Sequence, residues 1–145
     1  MAEILGRLDA AGVWYCIEGG WGVDALLGEQ TREHCDLDLA VRMEDVERLC
    51  SVLAEFERDD VEWPASFVLT DARGRKVDAH PLTFDENGDG FQAKLSGGTY
   101  RWPREHLDAR GRIGAPSCAA SRRNCKSAGT STKASTTSTG RTRAL

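Results

Sequence analysis

The spacing of apolar residues changes several times along the chain, and each change marks an element. Ile4, Leu5, Leu8 and Ala11 recur at helical intervals before Gly12, which predicts a short amphipathic helix. Val13-Trp-Tyr-Cys-Ile17 is a continuous β-prone run, the pattern of a strand buried on both faces. Gly19-Gly20 ends that strand, and Trp21 to Leu27 has the length and composition of a second helix, closed by Gly28. In Asp36-Leu-Asp-Leu-Ala-Val41 polar and apolar residues alternate with period two, so Asp36 and Asp38 share one face of a strand and Leu37 and Leu39 the other. Val46, Leu49, Cys50, Leu53 and Phe56 mark a third helix from Met43 to Phe56, with acidic residues in its first turn where the dipole favours them.

Trp63-Pro64 breaks the chain. Beyond it, Ser66 to Asp71 and Lys76 to His80 flank Ala72-Arg-Gly-Arg75 as a hairpin, and on the second strand Asp78 and His80 share a face while Val77 and Ala79 point the other way. Asp85-Glu-Asn-Gly-Asp-Gly90 reads as a turn before another extended run from Phe91 to Leu95. Its acids suggest a calcium loop, but that loop needs a closing Glu, and Phe91 to Leu95 supplies none.

At 145 residues the chain is long enough for one small α/β unit with a real core and too short for two. The formal charge of −4 and the pI near 5.4 speak against a general nucleic-acid binder. That average hides an asymmetry. Residues 1–114 carry all 23 acidic side chains and 13 of the 19 basic ones, a balance of −10, whereas residues 115–145 carry six basic side chains and no acidic one. An acidic body favours a cationic small substrate near its cleft. No apolar run approaches the roughly 18 residues needed to span a bilayer, and Met1-Ala-Glu-Ile-Leu-Gly lacks the basic start of a secretory signal. The expectation is a soluble cytoplasmic protein with no membrane partner. Cys16, Cys35, Cys50, Cys118 and Cys125 form no Cys-x-x-Cys pair and read most simply as free thiols.

The order of groups between Gly19 and Asp38 carries the chemistry. A triphosphate is held by backbone N–H groups at a tight turn, and Gly19-Gly20 at a strand-to-helix junction lets the backbone come close to it. A divalent metal needs hard oxygen ligands, which Asp36 and Asp38 present side by side on one strand face. Asp78, on the strand expected to lie beside the Asp-x-Asp strand, supplies a third carboxylate, able to take a proton from an attacking hydroxyl or to complete the metal shell. Arg32 and His34 lie just upstream, where a guanidinium can neutralise phosphate charge. Each element alone has a plainer reading: Gly-Gly as a turn, Asp-x-Asp as an exposed strand face, His34 and His80 as hydrogen-bonded structural residues.

Taken together, Gly19-Gly-Trp-Gly-Val-Asp-Ala-Leu-Leu-Gly-x-x-Thr-Arg-x-His-x-Asp-Leu-Asp38 resembles the signature of the small antibiotic nucleotidyltransferases, namely the lincosamide nucleotidyltransferases and the aminoglycoside 2''-adenylyltransferases. Val77-Asp-Ala-His-Pro-Leu82 resembles a second block of that family and Gly111-Arg-Ile-Gly114 a third, so the likeness spans about residues 1–114. The resemblance implies an α/β (α+β) nucleotidyltransferase fold, a short mixed β-sheet flanked by helices. It also implies Mg²⁺-dependent transfer of a nucleoside monophosphate from ATP or another nucleoside triphosphate to a hydroxyl of a lincosamide or aminoglycoside. Carried over by position, Gly19, Gly20, Thr31, Arg32 and His34 would bind the nucleotide. Asp36, Asp38 and Asp78 would bind metal, with Asp78 also the catalytic base. Cys35 stands where some relatives place a further Asp, on the side facing away from the metal. A homodimer is compatible with this reading. The alternative is a non-catalytic or decayed protein of this fold, such as a toxin–antitoxin component, that binds Mg-nucleotide without turnover.

After Gly114 the character changes. Residues 115–145 hold twelve Ser or Thr and no large apolar side chain except Leu145, so this tail is expected to be disordered. The family continues here with a helical region resembling Cys-Leu-Ser-Ala-Glu-Leu-Gln. Reading Arg122 and Arg123 as CGG, Asn124 as AAC and Cys125 as TGC, a frame starting on the third base of Ser121 encodes Ser-Ala-Glu-Leu-Gln, which points to a frameshift from about Ala115. The competing account is a genuine basic tail that meets an anionic partner.

Overall fold

The computed structural model describes residues 1–111, 122–123, 136–138 and 142–144. The chain opens with α1 (Ala2–Ala10), β1 (Tyr15–Ile17) and α2 (Gly19–Leu27). Next come β2 (Asp36–Arg42), a 3₁₀ turn (Met43–Asp45) and α3 (Val46–Val52). β3 (Glu57–Asp59), β4 (Phe67–Thr70), β5 (Lys76–Phe84), β6 (Gly90–Ala93) and β7 (Thr99–Trp102) follow, then α4 (Arg104–Leu107) and β8 (Arg110–Gly111). The short strands β9 (Arg122–Arg123), β10 (Thr136–Ser138) and β11 (Thr142–Ala144) lie in the tail expected to be disordered, the rest of which falls outside the described residues, as does the expected domain boundary at 114.

Seven strands form one mixed sheet in the order β1-β2-β5-β4-β3, with β6 pairing β5 and β7 pairing β6. Only β2 and β5 run parallel, in the register Asp36 to Lys76 through Arg42 to Leu82. β5 is the axis of the sheet. Its first half pairs β4, its last three residues pair β6, and His80 and Pro81 fall between those two ladders with no strand partner on that side among the described residues. Proline has no N–H to give a ladder, so the break accommodates Pro81 in a strand that is otherwise central.

Strand alternation decides what each face of the sheet does. Tyr15 and Ile17 of β1, Leu37, Leu39 and Val41 of β2, and Val77 and Ala79 of β5 point to the side covered by the helices. They join Ile4, Leu5 and Leu8 of α1, Ala25 of α2 and Val46 and Leu49 of α3 in the main core. On the opposite face Cys16, Ala40 and Leu82 pack with Trp102 and with Leu107 of α4 in a smaller apolar cluster. The rest of that second face belongs to Asp36, Asp38, Asp78 and His80.

The first two helices, β1, β2 and the hairpin lie close to their expected places, and Gly28 closes α2 with a left-handed φ of 80°. α2 starts at Gly19, two residues earlier than expected. The expected third helix is split. The buried Asp45 carboxylate accepts the Trp14 N–H at 3.1 Å and pairs with Arg48, which holds Met43–Asp45 in a tighter turn, and the helix ends at Val52. Leu53 and Phe56 keep their helical spacing only because both reach the main core from the turn leading into β3. β3 and β7 carry little alternation of their own, being Glu-Arg-Asp and Thr-Tyr-Arg-Trp, and exist by pairing with β4 and β6. Residues 85–89 are a turn, as expected, with Gly90 already in β6: Asp85 accepts the N–H groups of Asn87 and Asp89, and the Asp89 carboxylate takes up Arg101 and the Arg104 N–H.

Cys35 and Cys50 are free thiols, as expected, Cys16 is fully buried, and Cys118 and Cys125 fall outside the described residues. Among the described residues no helix is long and apolar enough to cross a membrane.

Candidate active site

The parallel pairing of β2 with β5 sets Asp38 directly opposite Asp78, both on the face away from the helices. Adjacent strands stand about 4.8 Å apart, so the two carboxylates meet without any side chain leaving its natural direction. His80, two residues further along β5, joins them: one ligand atom from each of Asp38, Asp78 and His80 lies within 4.8 Å of the others. Asp36 shares the face but sits at the exposed start of β2 opposite Lys76, outside that group of atoms. It is still close enough for its charge to act on both Asp38 and Asp78.

Sequence reasoning missed a fourth acid. Glu18, at the end of β1, is 1% exposed, and its N–H donates to the Asp38 carbonyl at 2.9 Å. Its Oε1 has no hydrogen-bond partner among the described residues, and neither has the buried Asp78 Oδ1. Burial raises the Glu18 carboxyl well above the carboxylate range, and the charges of Asp38 and Asp78 add to that. Asp78 is pushed up to about 6, by burial first and then by Glu62 and Asp36. Asp38 is raised by burial and by Asp36 and Asp78, against the pull of His80 and His34. Burial drives His80 the other way, below its usual value.

Such crowding is costly for anions unless a cation shares the site. Orphaned carboxylate oxygens on hard-ligand side chains fit a divalent ion of the Mg²⁺ type, whose partners are oxygens. Glu18 left a faint trace in the sequence, as a charged residue ending the apolar run Val13–Ile17.

The other half of the site is the amino-terminal turn of α2. Gly19 has a φ of 54°, and a Cβ there would stand 1.8 Å from Asp38 Oδ2. A Cβ on Gly20 would stand 2.2 Å from His34 Nδ1 and 2.9 Å from the Arg32 guanidinium. The glycine pair thus lets a helix start, a metal-type carboxylate and two basic side chains crowd together, and the first N–H groups of α2 are free of helical partners by construction.

Asp24 organises the basic segment from the inner side of α2. The buried Asp24 carboxylate accepts the Thr31 hydroxyl at 2.6 Å through Oδ1 and meets His34 Nε2 at 2.5 Å through Oδ2. Burial alone would raise this carboxyl, but the hydrogen bonds from Thr31 and His34 outweigh burial and leave it lowered. The His34 ring also packs on Trp21, with centroids 4.7 Å apart. Arg32 is exposed, its Nη1 donating to the Glu33 carbonyl at 3.0 Å. Gly19, Gly20, Arg32 and His34 are therefore brought together beside Asp38, while Thr31 reaches the group through Asp24. Asp24 was readable only as a lone acid inside an apolar helix. Gln92, whose Nε2 lies 3.1 Å from His80 Nδ1, gave no signal at all. Of the third motif block, Gly111 lies on β8, and the remainder falls outside the described residues.

A family model described as aminoglycoside-2''-adenylyltransferase matches residues 1–117. The chain is 32% identical over 99 residues to a lincosamide resistance protein of Staphylococcus haemolyticus, covering 67% of this chain and 62% of that protein. It therefore spans less than two thirds of the length of that relative. Among solved structures it is similar to the lincosamide antibiotic adenylyltransferase LnuA bound to lincomycin, with 26% identity, a TM-score of 0.67, and 77% of this chain and 71% of that one covered. ANT(2'')-Ia in complex with adenylyl-2''-tobramycin shares the fold, at 20% identity and a TM-score of 0.59 over 83% of this chain and 64% of that one. A protein structure from Thermotoga maritima also shares it, at 18% identity and a TM-score of 0.56 over 84% and 73%.

Proposed function

The chain belongs to the aminoglycoside-2''-adenylyltransferase family, and on that premise we propose that it transfers a nucleoside monophosphate from a nucleoside triphosphate to a hydroxyl of an antibiotic, a lincosamide or an aminoglycoside. The observation that carries this reading is the placement of Asp38 opposite Asp78 beside the Gly19-Gly20 turn. A lincosamide resistance protein and a lincomycin-bound adenylyltransferase among the relatives support an antibiotic acceptor. No relative's name favours a nucleotide binder without turnover. Nucleoside triphosphates are held in the cytoplasm, which is where we place the reaction.

In this mechanism the N–H groups at the start of α2, approached closely because Gly19 and Gly20 lack side chains, hold the phosphates of ATP or another triphosphate. Arg32 and His34 add positive charge on the same side, with His34 and Thr31 steadied by Asp24. Asp36, Asp38 and Asp78 would hold Mg²⁺, which when bound supplies neutralisation of charge developing on the transferring phosphoryl group. The acceptor hydroxyl loses its proton to Asp78 while its oxygen bonds to the α-phosphorus. The bond from that phosphorus to the bridging oxygen breaks, and pyrophosphate leaves. Without metal, burial and the charges of Glu62 and Asp36 hold this carboxyl at about 6, above the ordinary carboxylate range. The −10 balance of residues 1–114 leans toward a cationic acceptor.

The test is incubation of the protein with Mg²⁺, each nucleoside triphosphate and a panel of lincosamides and aminoglycosides, followed by mass spectrometry of the drugs. One drug should gain the mass of a nucleoside monophosphate, and Asp38→Asn should remove that product. No adduct with any drug would refute the assignment.

A further inference from the structure

Gln92 bridges the break in the sheet beside Pro81. Its backbone pairs Leu82 of β5 and Tyr100 of β7, and its side chain turns into the space between β4 and β6 that no strand fills. There Nε2 donates to the Ala65 carbonyl at 2.9 Å and lies 3.1 Å from His80 Nδ1. The Ala65 carbonyl can only accept, so the Gln92 atom facing it is the amide nitrogen and not the oxygen. That nitrogen has two hydrogens, one for Ala65 and one for His80. The His80 nitrogen it meets must offer a lone pair, since an Nδ1–H would set two donors against each other. The same contact disfavours the doubly protonated ring. The proton of the neutral imidazole is thereby placed on Nε2, which stands 3.7 Å from the orphaned Asp78 Oδ1.

We propose that Gln92 locks His80 as the Nε2–H tautomer, so that the imidazole faces the Asp38–Asp78 pair as a donor, cannot ligate there, and leaves an all-oxygen site that discriminates against Zn²⁺. Histidines that bind metal carry the reverse arrangement: the ring nitrogen away from the metal donates to a carboxylate, carbonyl or water, which frees the near nitrogen's lone pair. Here the far nitrogen faces a donor. Without that lock, Asp38, Asp78 and His80 would offer two carboxylates and an imidazole within 4.8 Å, a set suited to Zn²⁺ or another transition metal rather than to Mg²⁺. Gln92 is thus a positioning residue for metal selectivity. The inference rests on the reading of Asp38 and Asp78 as metal ligands.

The experiment uses the full ¹⁵N-labelled chain and long-range imidazole ¹H–¹⁵N spectra, with the His80 signals identified by their loss in His80→Asn. Wild-type His80 should show a protonated Nε2 and an unprotonated Nδ1, and Zn²⁺ added alone should leave Nε2 unmoved. In Gln92→Leu the two tautomers should mix, and Zn²⁺ should move Nε2 and bind about tenfold or more tightly than to wild type, the scale of metal-affinity change seen when a partner of a ligand is replaced. The gain should vanish in the Gln92→Leu, His80→Asn double variant. A wild-type Nδ1–H tautomer, or a wild-type His80 Nε2 shifted by Zn²⁺, overturns the proposal; these two measurements decide it even if Gln92→Leu does not fold. A well-folded Gln92→Leu with unchanged Zn²⁺ affinity also overturns it. Absence of drug modification in the mass-spectrometric assay, with the tautomer as proposed, would sink the transfer reaction alone.

Discussion

The two faces of β2 and β5 obey opposite rules although they belong to the same residues' backbones. Toward the helices, Leu37, Leu39, Val41, Val77 and Ala79 are almost completely buried and every one meets apolar neighbours. Toward the other side, Asp38, Asp78 and His80 are only half-buried, repel or compete with one another, and leave Asp78 Oδ1 without a hydrogen-bond partner among the described residues. The first face is satisfied by folding, and the second is left to be satisfied by what binds. Period-two alternation allows this because a residue can be changed on one face without entering the other.

The largest expected effect comes from removing the proposed base. Asp78→Asn should lower kcat by about 10²–10⁴-fold, the usual contribution of general base catalysis. Its melting temperature should hold or rise, because a crowded partly buried charge is gone. A fall in stability matching the fall in rate would mean that Asp78 is a structural residue. The mirror experiment is Leu39→Ala on the same strand, where the side chain is 0% exposed. Chemical denaturation should show a loss of about 2–5 kcal/mol, while the surviving folded protein keeps its kcat. If Leu39→Ala instead altered kcat at constant folded fraction, the faces would not be separable.

The three raised acids of the crowded face make stability fall as pH rises, while His80, whose pKa burial lowers, opposes them below 6.5. Asp78 has its folded value raised to about 6 from 3.8, so between those values the folded state binds more protons than the unfolded one. Stability from this group is therefore fully present below about pH 4 and is lost as pH rises through 6. Asp38 and Glu18, both raised, push the same way. The partial exposure of Asp78 reduces the size of the effect. Thermal melts at pH 5 and pH 7 without metal should favour pH 5 more in wild type than in Asp78→Asn, a comparison in which the His80 contribution is common to both. Adding Mg²⁺ at pH 7 should recover stability by mass action. An equal pH 5 to pH 7 difference in wild type and Asp78→Asn would contradict the crowding.

This contrast explains what the sequence made legible. Alternation alone placed Asp36 and Asp38 together and Asp78 with His80, and the order of Gly19-Gly20, Arg32-His34 and Asp36-Asp38 carried the resemblance that the family match bears out. What stayed hidden was the cross-strand register. The two strands were expected side by side, but Asp38 opposes Asp78 and Asp36 opposes Lys76 because β2 and β5 run parallel, and no local pattern encodes that direction and register. The same holds for Gln92, 12 residues from His80 in sequence and recruited by the break around Pro81. Glu18 and Asp24 were visible as letters but not as roles, since a lone acid in an apolar run is informative only once its burial is known. The short α3 shows the converse, a helical spacing sustained by residues that bury their side chains outside the helix.

The smallest effect concerns how the phosphate side is held. Thr31 is exposed, yet its hydroxyl donates to the buried Asp24 carboxylate that also holds His34. Thr31→Val keeps the shape of the side chain and removes that one donor. The loss of a hydrogen bond of this kind is worth about 1 kcal/mol, roughly a fivefold change in an equilibrium constant. Because Thr31 steadies the segment that carries Arg32 and His34 and does not itself face Asp78, the KM for the nucleotide should rise by that factor with kcat nearly unchanged. Steady-state kinetics at saturating drug read the two parameters separately. A drop in kcat with constant KM would move Thr31 from the binding of the triphosphate to the chemistry on the Asp38–Asp78 face, and the division between the two halves of the site would have to be redrawn.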